Sequence, residues 1–164
     1  MNSNALRDAI KTLAREVGYD DCGIMPAGPF NRYERQLRER MRRFPDAAPL
    51  YEAMLQRSDP TVTAPSARSI VVCVHWYGKY RIPAGLDRHI GRHYLFDRRY
   101  RECPDFAIPQ KMKTGLRELG LRVKRGGVPE RWAAVRAGVA GFGRNNFVYS
   151  RRGSWITVES YRVD

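Results

Sequence analysis

Long hydrophobic runs are missing from this 164-residue sequence, although 43% of its residues are apolar. No stretch approaches the roughly 18 uninterrupted apolar residues of a membrane-spanning helix. The N-terminal residues also lack the basic, apolar and small-residue order of a secretory signal peptide. We therefore predict a soluble, cytoplasmic protein that has no membrane partner.

Cysteine is scarce and dispersed. The three cysteines, Cys22, Cys73 and Cys103, form no C-x-x-C pair. Structural zinc sites and iron–sulfur clusters need sets of closely placed ligands, usually with cysteines at short spacings. The sequence therefore predicts no metal site within this chain, and it favours buried thiols.

Acidic residues are outnumbered by basic ones. The sequence has 17 Asp and Glu residues and 30 Lys and Arg residues, which give a formal net charge of +13. A protein this basic concentrates anions at its surface, and nucleic acid is the commonest large anion of the cytoplasm. The basic residues crowd two segments, 79–101 and 124–152. The aromatic residues in these segments are Tyr80, Tyr94, Phe96, Tyr100, Trp132, Phe142 and Tyr149. They could stack on unpaired bases, although we expect most of them in the core.

Helical and extended patterns alternate along the chain and predict one α/β domain, residues 1–164, with a single core. The first helix is predicted over 5–17, with Asn4 as its N-cap and Gly18 as its C-terminal stop. Further helices are predicted over 31–43, 49–56, 95–102 and 109–119. Strands are predicted over 19–25, 69–74, 121–124 and 155–163. The apolar 69–74 run is typical of a buried central strand, and prolines before it predict extended backbone.

The most informative block, 127–155, predicts a helix, a glycine-rich turn, a strand, a tight turn and a second strand. Pro129 suits the first helical position, and Gly138 can end the helix. Glycines without β-carbons and side chains with hydrogen-bond donors then follow closely: Gly138, Gly141, Gly143, Arg144, Asn145 and Asn146. This pattern predicts a backbone cradle for an anionic or amide-bearing ligand. It is not a dinucleotide fingerprint, because the glycines follow a helix instead of a strand.

Three separated motifs give the chain a resemblance to a known family. The pattern E-R-x-x-A-x-x-A-G-x-G-x-x-G-K-N, followed by G-S-W, is matched by Glu130, Arg131, Ala134, Ala137, Gly138, Gly143, Asn145, Gly153, Ser154 and Trp155. The pattern D-P-x-x-x-x-P-x-A-R-S-V-I is matched by Asp59, Pro60, Pro65, Ala67, Arg68, Ser69 and Ile70. Residues 91–95 are similar to G-R-D-Y-H, with His93 and Leu95 as departures. In these motifs the chain resembles the N-terminal, corrinoid-binding half of the epoxyqueuosine reductases, which are cobalamin-dependent iron–sulfur enzymes related to reductive dehalogenases.

The resemblance implies a fold, a cofactor and a site. The fold is expected to be a mixed sheet flanked by helices, a nitroreductase-like sandwich, and the cofactor is expected to be cobalamin (a corrinoid) bound base-off. The residues it assigns to the cofactor are Gly138, Gly141, Gly143, Arg144, Asn145, Asn146, Gly153, Ser154 and Trp155. It assigns proton chemistry to Tyr94 and Tyr77, with Arg92 as a basic partner. The D-x-H-x-x-G signature of cobalt-ligating histidines is absent, so we expect ordinary hydrogen bonds for His75.

Two departures from the family bear on activity. Counting back from Glu130, the family's proton-donating aspartate is replaced by Lys124 or Arg125, and a cation cannot replace a carboxylic acid as proton donor. The chain also stops at Asp164, before the family's ferredoxin-like part. We therefore expect an iron–sulfur electron donor in cis or in trans, because the chain is either the N-terminal part of a longer reductase or a stand-alone relative.

Two functions stay open at this stage. The first is a corrinoid-binding domain of an oxidoreductase that resembles epoxyqueuosine reductases, which act in queuosine tRNA modification, or reductive dehalogenases. In that case the isolated chain should be inactive. The second is a basic tRNA-binding module that kept the fold and lost the cofactor. Cobalamin binding separates the two.

Overall fold

A four-stranded sheet forms the centre of the protein. The structure, a computed structural model, describes residues 2–95, 101–103 and 105–164. The strands of the sheet are β1 (Asp21–Pro26), β2 (Ser69–Trp76), β3 (Val123–Arg125) and β6 (Ile156–Val163), in the order β1-β2-β6-β3. A separate hairpin consists of β4 (Gly141–Phe142) and β5 (Val148–Tyr149). The predicted strand 69–74 is therefore the start of an inner strand, which is buried on both faces.

The strands of the sheet run antiparallel to their neighbours. Within the described residues, Cys22 lies opposite Cys73, and Cys73 lies opposite Glu159. The predicted α/β fold with helices on both faces is confirmed, but the sheet is antiparallel instead of mixed. For β1 and β2 the reason lies in their connection, which begins and ends at the same end of the sheet, so the two strands run in opposite directions. There Ala27 N donates to Arg68 O over 2.9 Å.

Helices α1 (Ser3–Glu16) and α5 (Ile108–Glu118) cover one face of the sheet. Their apolar residues follow helical spacing and pack on the β2 side chains of that face. The first helix begins earlier than predicted, because the side chain of Asn2, not Asn4, accepts the Ala5 amide hydrogen at 2.8 Å. Gly18 has a φ of 110° and marks the stop, as predicted.

Helices α2 (Asn31–Arg43), α3 (Ala48–Leu55) and α6 (Glu130–Arg136) cover the opposite face. The bounds of α2 match the prediction, and its apolar residues Tyr33 and Leu37 are buried against the sheet. Ala133 and Ala134 have no exposed surface, and their small side chains let α6 lie close to β2. Both faces of the sheet therefore contribute to the core.

Two local predictions were wrong: the extended backbone at Pro60 and the first residue of the strand over 121–124. Pro60 does not extend the backbone but opens a one-turn helix, α4 (Pro60–Thr63). Asp59 caps it by accepting the Thr61 amide hydrogen at 2.9 Å, so Asp-Pro here is an N-cap followed by a first helical residue. The strand predicted over 121–124 begins later, at Val123.

The predicted helix 95–102 lies mostly outside the described residues, as do Phe96 and Tyr100 of the predicted stacking set. A 3₁₀ turn, Arg92–Leu95, precedes that segment, and residues 101–103 form a turn after it. Among the described helices, none has the length and apolar character needed to cross a membrane.

The thiols of Cys22 and Cys73 are buried, as predicted, and their Sγ atoms lie 3.9 Å apart. Burial, followed by the hydrogen bond to Cys22, raises the pKa of the Cys73 thiol well above its usual range. Cys103 is only half-buried. The described Cys, His, Asp and Glu residues include no group of three placed to hold a metal ion.

Candidate functional site

Aromatic residues gather where β2 ends and β6 begins. The Tyr77 amide donates to the Trp155 carbonyl over 2.9 Å and ties the two segments together. The ring centres of Tyr77 and His93 lie 5.3 Å apart, and those of His93 and Tyr94 lie 6.0 Å apart, both edge-on. The Arg92 guanidinium stands 4.3 Å from the centre of the Trp155 ring. The structure thus joins the predicted Tyr77, Arg92 and Tyr94 with Trp155, and with His93 these form the aromatic cluster.

Arg92 anchors this cluster. Its Nη1 donates to the Gly78 carbonyl at 3.0 Å and to the Tyr80 carbonyl. Its third described contact is the cation–π contact with Trp155. These contacts hold the 92–95 turn against the end of β2. They engage the guanidinium with carbonyls and a ring face, whereas the sequence analysis assigned it to a phenol.

The two candidate proton donors have different surroundings. Tyr77 is half-buried, and burial raises the pKa of its phenol above the ordinary value of 10.0. That phenol keeps its proton at neutral pH and is a weaker acid than a free tyrosine. Tyr94 is 77% exposed, so it is not one of the stacking-set residues that lie in the core. Its phenol is open to a ligand that approaches the aromatic cluster.

The glycine-rich turn forms the β4–β5 hairpin. Gly143 donates its amide hydrogen to Phe147 O over 2.8 Å. The Asn145 side chain accepts from Phe147 N at 3.2 Å and donates to the Tyr149 hydroxyl at 3.1 Å. Asn146 adopts the left-handed conformation, with a φ of 62°. Part of the donor set predicted for a ligand is therefore already engaged in shaping the hairpin.

The predicted glycines are needed for different reasons. A β-carbon on Gly143 would lie 2.4 Å from Cε2 of Tyr149, so this glycine makes room for a ring of the same hairpin. Gly138 and Gly153 have φ values of 75° and 93°, which side chains rarely adopt. A β-carbon on Gly141 would meet no atom within 4 Å. Gly141 therefore differs from the other three glycines: neither a positive φ nor a close neighbour requires glycine there, and its backbone is open.

A tight turn connects the hairpin to the aromatic cluster. Ser150 and Gly153 exchange backbone hydrogen bonds of 3.0 Å in both directions. Ser154 is half-buried, and Trp155 is 49% exposed. The cofactor residues assigned from the sequence thus lie on two linked surfaces, the hairpin and the aromatic cluster.

The hairpin packs on α6 and turns aromatic side chains to solvent. Trp132 and Phe142 have ring centres 5.1 Å apart, and Arg131 donates to Asn146 O at 2.9 Å. Most of the predicted stacking set was expected in the core, but Phe142 and Tyr149 are exposed, as is Tyr94. Strands of two residues that pack on a single helix leave one side of the ribbon in water. Trp132, by contrast, is half-buried against the core, and Tyr80 is also half-buried.

The sequence analysis missed a polar network at the same end of the sheet. His75 is fully buried, with Nε2 3.4 Å from Asp105 Oδ2 and Nδ1 3.9 Å from Asp20 Oδ2. Tyr80 donates its hydroxyl hydrogen to Asp105, and Arg152 Nη1 lies 3.3 Å from Asp20 Oδ1. Asp20 and Arg152 also border a cavity of about 250 Å³. The spacing of these residues in the sequence does not predict the network, because its members come from distant parts of the chain.

Lys124 and Arg125, the positions assigned to the family's proton-donating aspartate, lie away from the aromatic cluster. Lys124 is opposite Arg162 on β6, six residues from the strand's first residue, Ile156. At about 3.3 Å per residue this separation is roughly 20 Å along the sheet. Lys124 donates to Thr63 O at 2.9 Å, and Arg125 lies 3.3 Å from a Glu159 carboxylate oxygen. Neither cation is part of the aromatic cluster.

No protein-family model matches the chain, and no curated protein matches it. Solved structures do: an epoxyqueuosine reductase from Bacillus subtilis at 19% identity with a TM-score of 0.69, and one from Streptococcus thermophilus at 18% with 0.68. A third contains an epoxyqueuosine-modified tRNA-Tyr stem loop and matches at 19% with 0.70. Each match covers 99% of this chain and 46% of the other, so the chain spans about half the length of these proteins. The chain therefore has the fold found in the matched part of the epoxyqueuosine reductases.

Proposed function

We propose that this chain is the corrinoid-binding domain of an epoxyqueuosine reductase-like oxidoreductase. The observation that carries the proposal is the agreement between the fold likeness, which covers 99% of the chain, and the motif residues between α6 and β6. Those residues are exposed or half-buried, from Gly138 at the end of α6 to Trp155 at the start of β6. A surface of this kind can receive a ligand without unfolding.

The residues present fit a corrinoid. A corrin is a broad macrocycle rimmed by amide groups, so it needs apolar support, close backbone and hydrogen-bonding partners. Phe147, at 60% exposure, offers an apolar face, and Trp155 offers the part of its ring that the Arg92 guanidinium does not cover. Gly141 offers backbone that no side chain covers. Arg144 is exposed and adds a donor at the turn.

Cobalamin, when bound, supplies a cobalt centre that accepts electrons from a reductant and passes them to a substrate. The chain's own residues would then manage binding and protons. Tyr94 carries an exposed phenolic proton, whereas Tyr77 retains its proton because burial raises its pKa. Arg92 holds the turn that carries Tyr94. We assign the electron supply to an iron–sulfur protein or domain, in cis or in trans.

We propose tRNA as the partner that carries the substrate. A matched epoxyqueuosine reductase structure contains a modified tRNA stem loop. This chain has a net charge of +13, which favours a phosphate backbone, and exposed rings that can stack on unpaired bases. An RNA-binding module without a cofactor would need only the positive charge and the exposed rings. Cobalamin binding is therefore the property that distinguishes the two candidate functions.

Titration with cobalamin, followed by absorption spectroscopy and calorimetry, tests the proposal. The parent should bind with a base-off spectrum, and Gly141→Val should weaken affinity about tenfold or more, because a branched side chain would fill the open backbone surface. Gly28→Val is the matched control, since a β-carbon there meets only the Arg136 side-chain end, at 3.8 Å. No binding by the parent, or equal affinities for all three proteins, would contradict the proposal. RNA binding without cobalamin binding would favour the module.

A further inference from the structure

A basic cavity lies at the sheet end opposite the aromatic cluster. Its volume is about 380 Å³, and its walls come from the end of α5, β3, the end of β6 and the loop before β2. The cationic residues of its lining are Arg117, Arg122, Lys124 and Arg162. Its single acidic residue is Asp164. Cationic side chains therefore outnumber carboxylate side chains four to one around this cavity.

Arg162 is the buried member of this set, with 7% of its surface exposed. Its Nη1 donates to Pro60 O at 3.2 Å and to the Thr63 hydroxyl, and both partners are neutral. Its Nε has no hydrogen-bond partner among the described residues. Burial lowers the pKa of this guanidinium, which reflects the cost of a desolvated charge. A buried cation that contacts only neutral groups and keeps one donor unused is suited to an anion.

The other cations differ in how far they are already engaged. Arg122 is neutralised, because its Nε lies 2.5 Å from Asp164 Oδ2. Lys124 donates to the neutral Thr63 carbonyl at 2.9 Å and has no carboxylate partner among the described residues. The exposed Arg117 guanidinium has no hydrogen bond or ion pair within the part of the chain that the structure describes. Two further cations are thus available to a ligand that reaches Arg162.

We propose that this cavity binds the phosphate group of a small phosphate ester. Arginine forks match the geometry of phosphate oxygens, and lysine adds a point charge. The volume lies at the lower end of the roughly 300–1,000 Å³ typical of small-molecule pockets, and it exceeds what a free phosphate ion would fill. Apolar wall residues such as Leu121 and Val163 can pack against the organic part of the ester.

This site is separate from the proposed corrinoid surface. The cavity contains Val163, whereas the aromatic cluster adjoins Ile156, and these residues are the two ends of β6. Eight residues of strand span about 25 Å. Loss of binding at one end therefore leaves the other end intact, and the two proposals can fail independently.

The test is calorimetric titration with adenosine 5′-monophosphate, inorganic phosphate and a short single-stranded oligonucleotide, at constant ionic strength set with chloride. We expect saturable binding of the monophosphate, weakened about tenfold or more by Arg117→Gln, because the substitution removes a charge-assisted hydrogen bond to the phosphate. Arg117 is chosen because it is exposed, so its replacement leaves folding intact, whereas replacing the buried Arg162 risks unfolding. Arg151→Gln is the matched control, since Arg151 lines a cavity with Asp20 and Asp21 at the opposite sheet end.

The three probes separate the sources of phosphate. Saturable binding of the monophosphate or of inorganic phosphate that depends on Arg117 supports the proposal. Binding of the oligonucleotide alone would assign the cavity to a nucleic-acid backbone and overturn the small-ester assignment. Equal weakening by Arg117→Gln and Arg151→Gln would show only general charge attraction and would also overturn it, as would the absence of saturable binding by any probe.

Discussion

Gly143→Ala should loosen the β4–β5 hairpin. The added β-carbon would stand 2.4 Å from Cε2 of Tyr149 and 2.9 Å from Oδ1 of Asn145. Both distances are shorter than β-carbons tolerate, so the Tyr149 ring has to move. The substitution therefore probes the packing of the hairpin itself.

The size of the effect follows from what the ring loses. Moving it breaks the 3.1 Å hydrogen bond from Asn145 Nδ2 to the Tyr149 hydroxyl, which contributes about 1 kcal/mol. Overpacking costs about 1–3 kcal/mol where a site cannot relax. Because Tyr149 is 41% exposed, its ring can swing towards solvent, which favours the low end of that range. We expect a local loss of about 1–2 kcal/mol, or a factor of roughly 5–30 in the opening equilibrium.

Amide hydrogen exchange is the suitable assay, because a local opening of the hairpin need not change global unfolding. The hairpin amides should exchange roughly 5–30 times faster in Gly143→Ala. They should be unchanged in Gly141→Ala, whose β-carbon meets nothing within 4 Å. In a Tyr149→Ala background, Gly143→Ala should cost less than in the parent, because only the close approach to Asn145 Oδ1 remains. Equal protection in both glycine variants, or an unchanged cost after the ring is removed, would refute this reasoning.

Two further predictions concern the proton donor and the half-buried carboxyl of Glu130. With cobalamin and a strong chemical reductant supplied, halide release from an organohalide should fall at least tenfold in Tyr94→Phe and less in Tyr77→Phe, because the exposed phenol is the better placed acid; equal rates would contradict it. Burial raises the pKa of Glu130 above 4.5, only partly offset by its Ser160 hydrogen bond and nearby arginines. The folded state then holds that proton to higher pH than the unfolded chain, so this contribution to stability is present below about pH 4.5 and lost as pH rises through the folded pKa. Glu130→Gln should remove that decline in urea unfolding series, and an unchanged pH profile would count against it.

Much of the architecture could be predicted from sequence because it depends on local periodicity. The bounds of α2 and the buried, β-branched run at the start of β2 were both placed correctly. Asp59 and Pro60 also contained enough information, since an N-cap followed by proline is a helix start. Proline alone is compatible with extended backbone as well as with a helix start, and only the preceding N-cap residue separates the two.

The site was less predictable because its contacts are long-range. His75 meets carboxylates from Asp20 and Asp105, and nothing in their spacing indicates that the fold brings them together. The environment of Gly143 depends on Tyr149 across a turn, so a glycine that looked suited to a ligand also serves its own hairpin. Motif resemblance points to one surface as the candidate site, but it does not separate residues that build the surface from residues that would contact a ligand.

The position of β6 has a consequence for how the chain folds during synthesis. This strand is the last of the sheet in sequence, yet it lies between β2 and β3 and pairs with both. Until residues 156–163 leave the ribosome, β2 can pair only with β1, and its other edge stays open beside an apolar, β-branched sequence. Such an edge readily recruits strands from other chains. Productive folding of the sheet is therefore delayed until translation of this region is nearly complete, and the nascent chain benefits from chaperone protection until then.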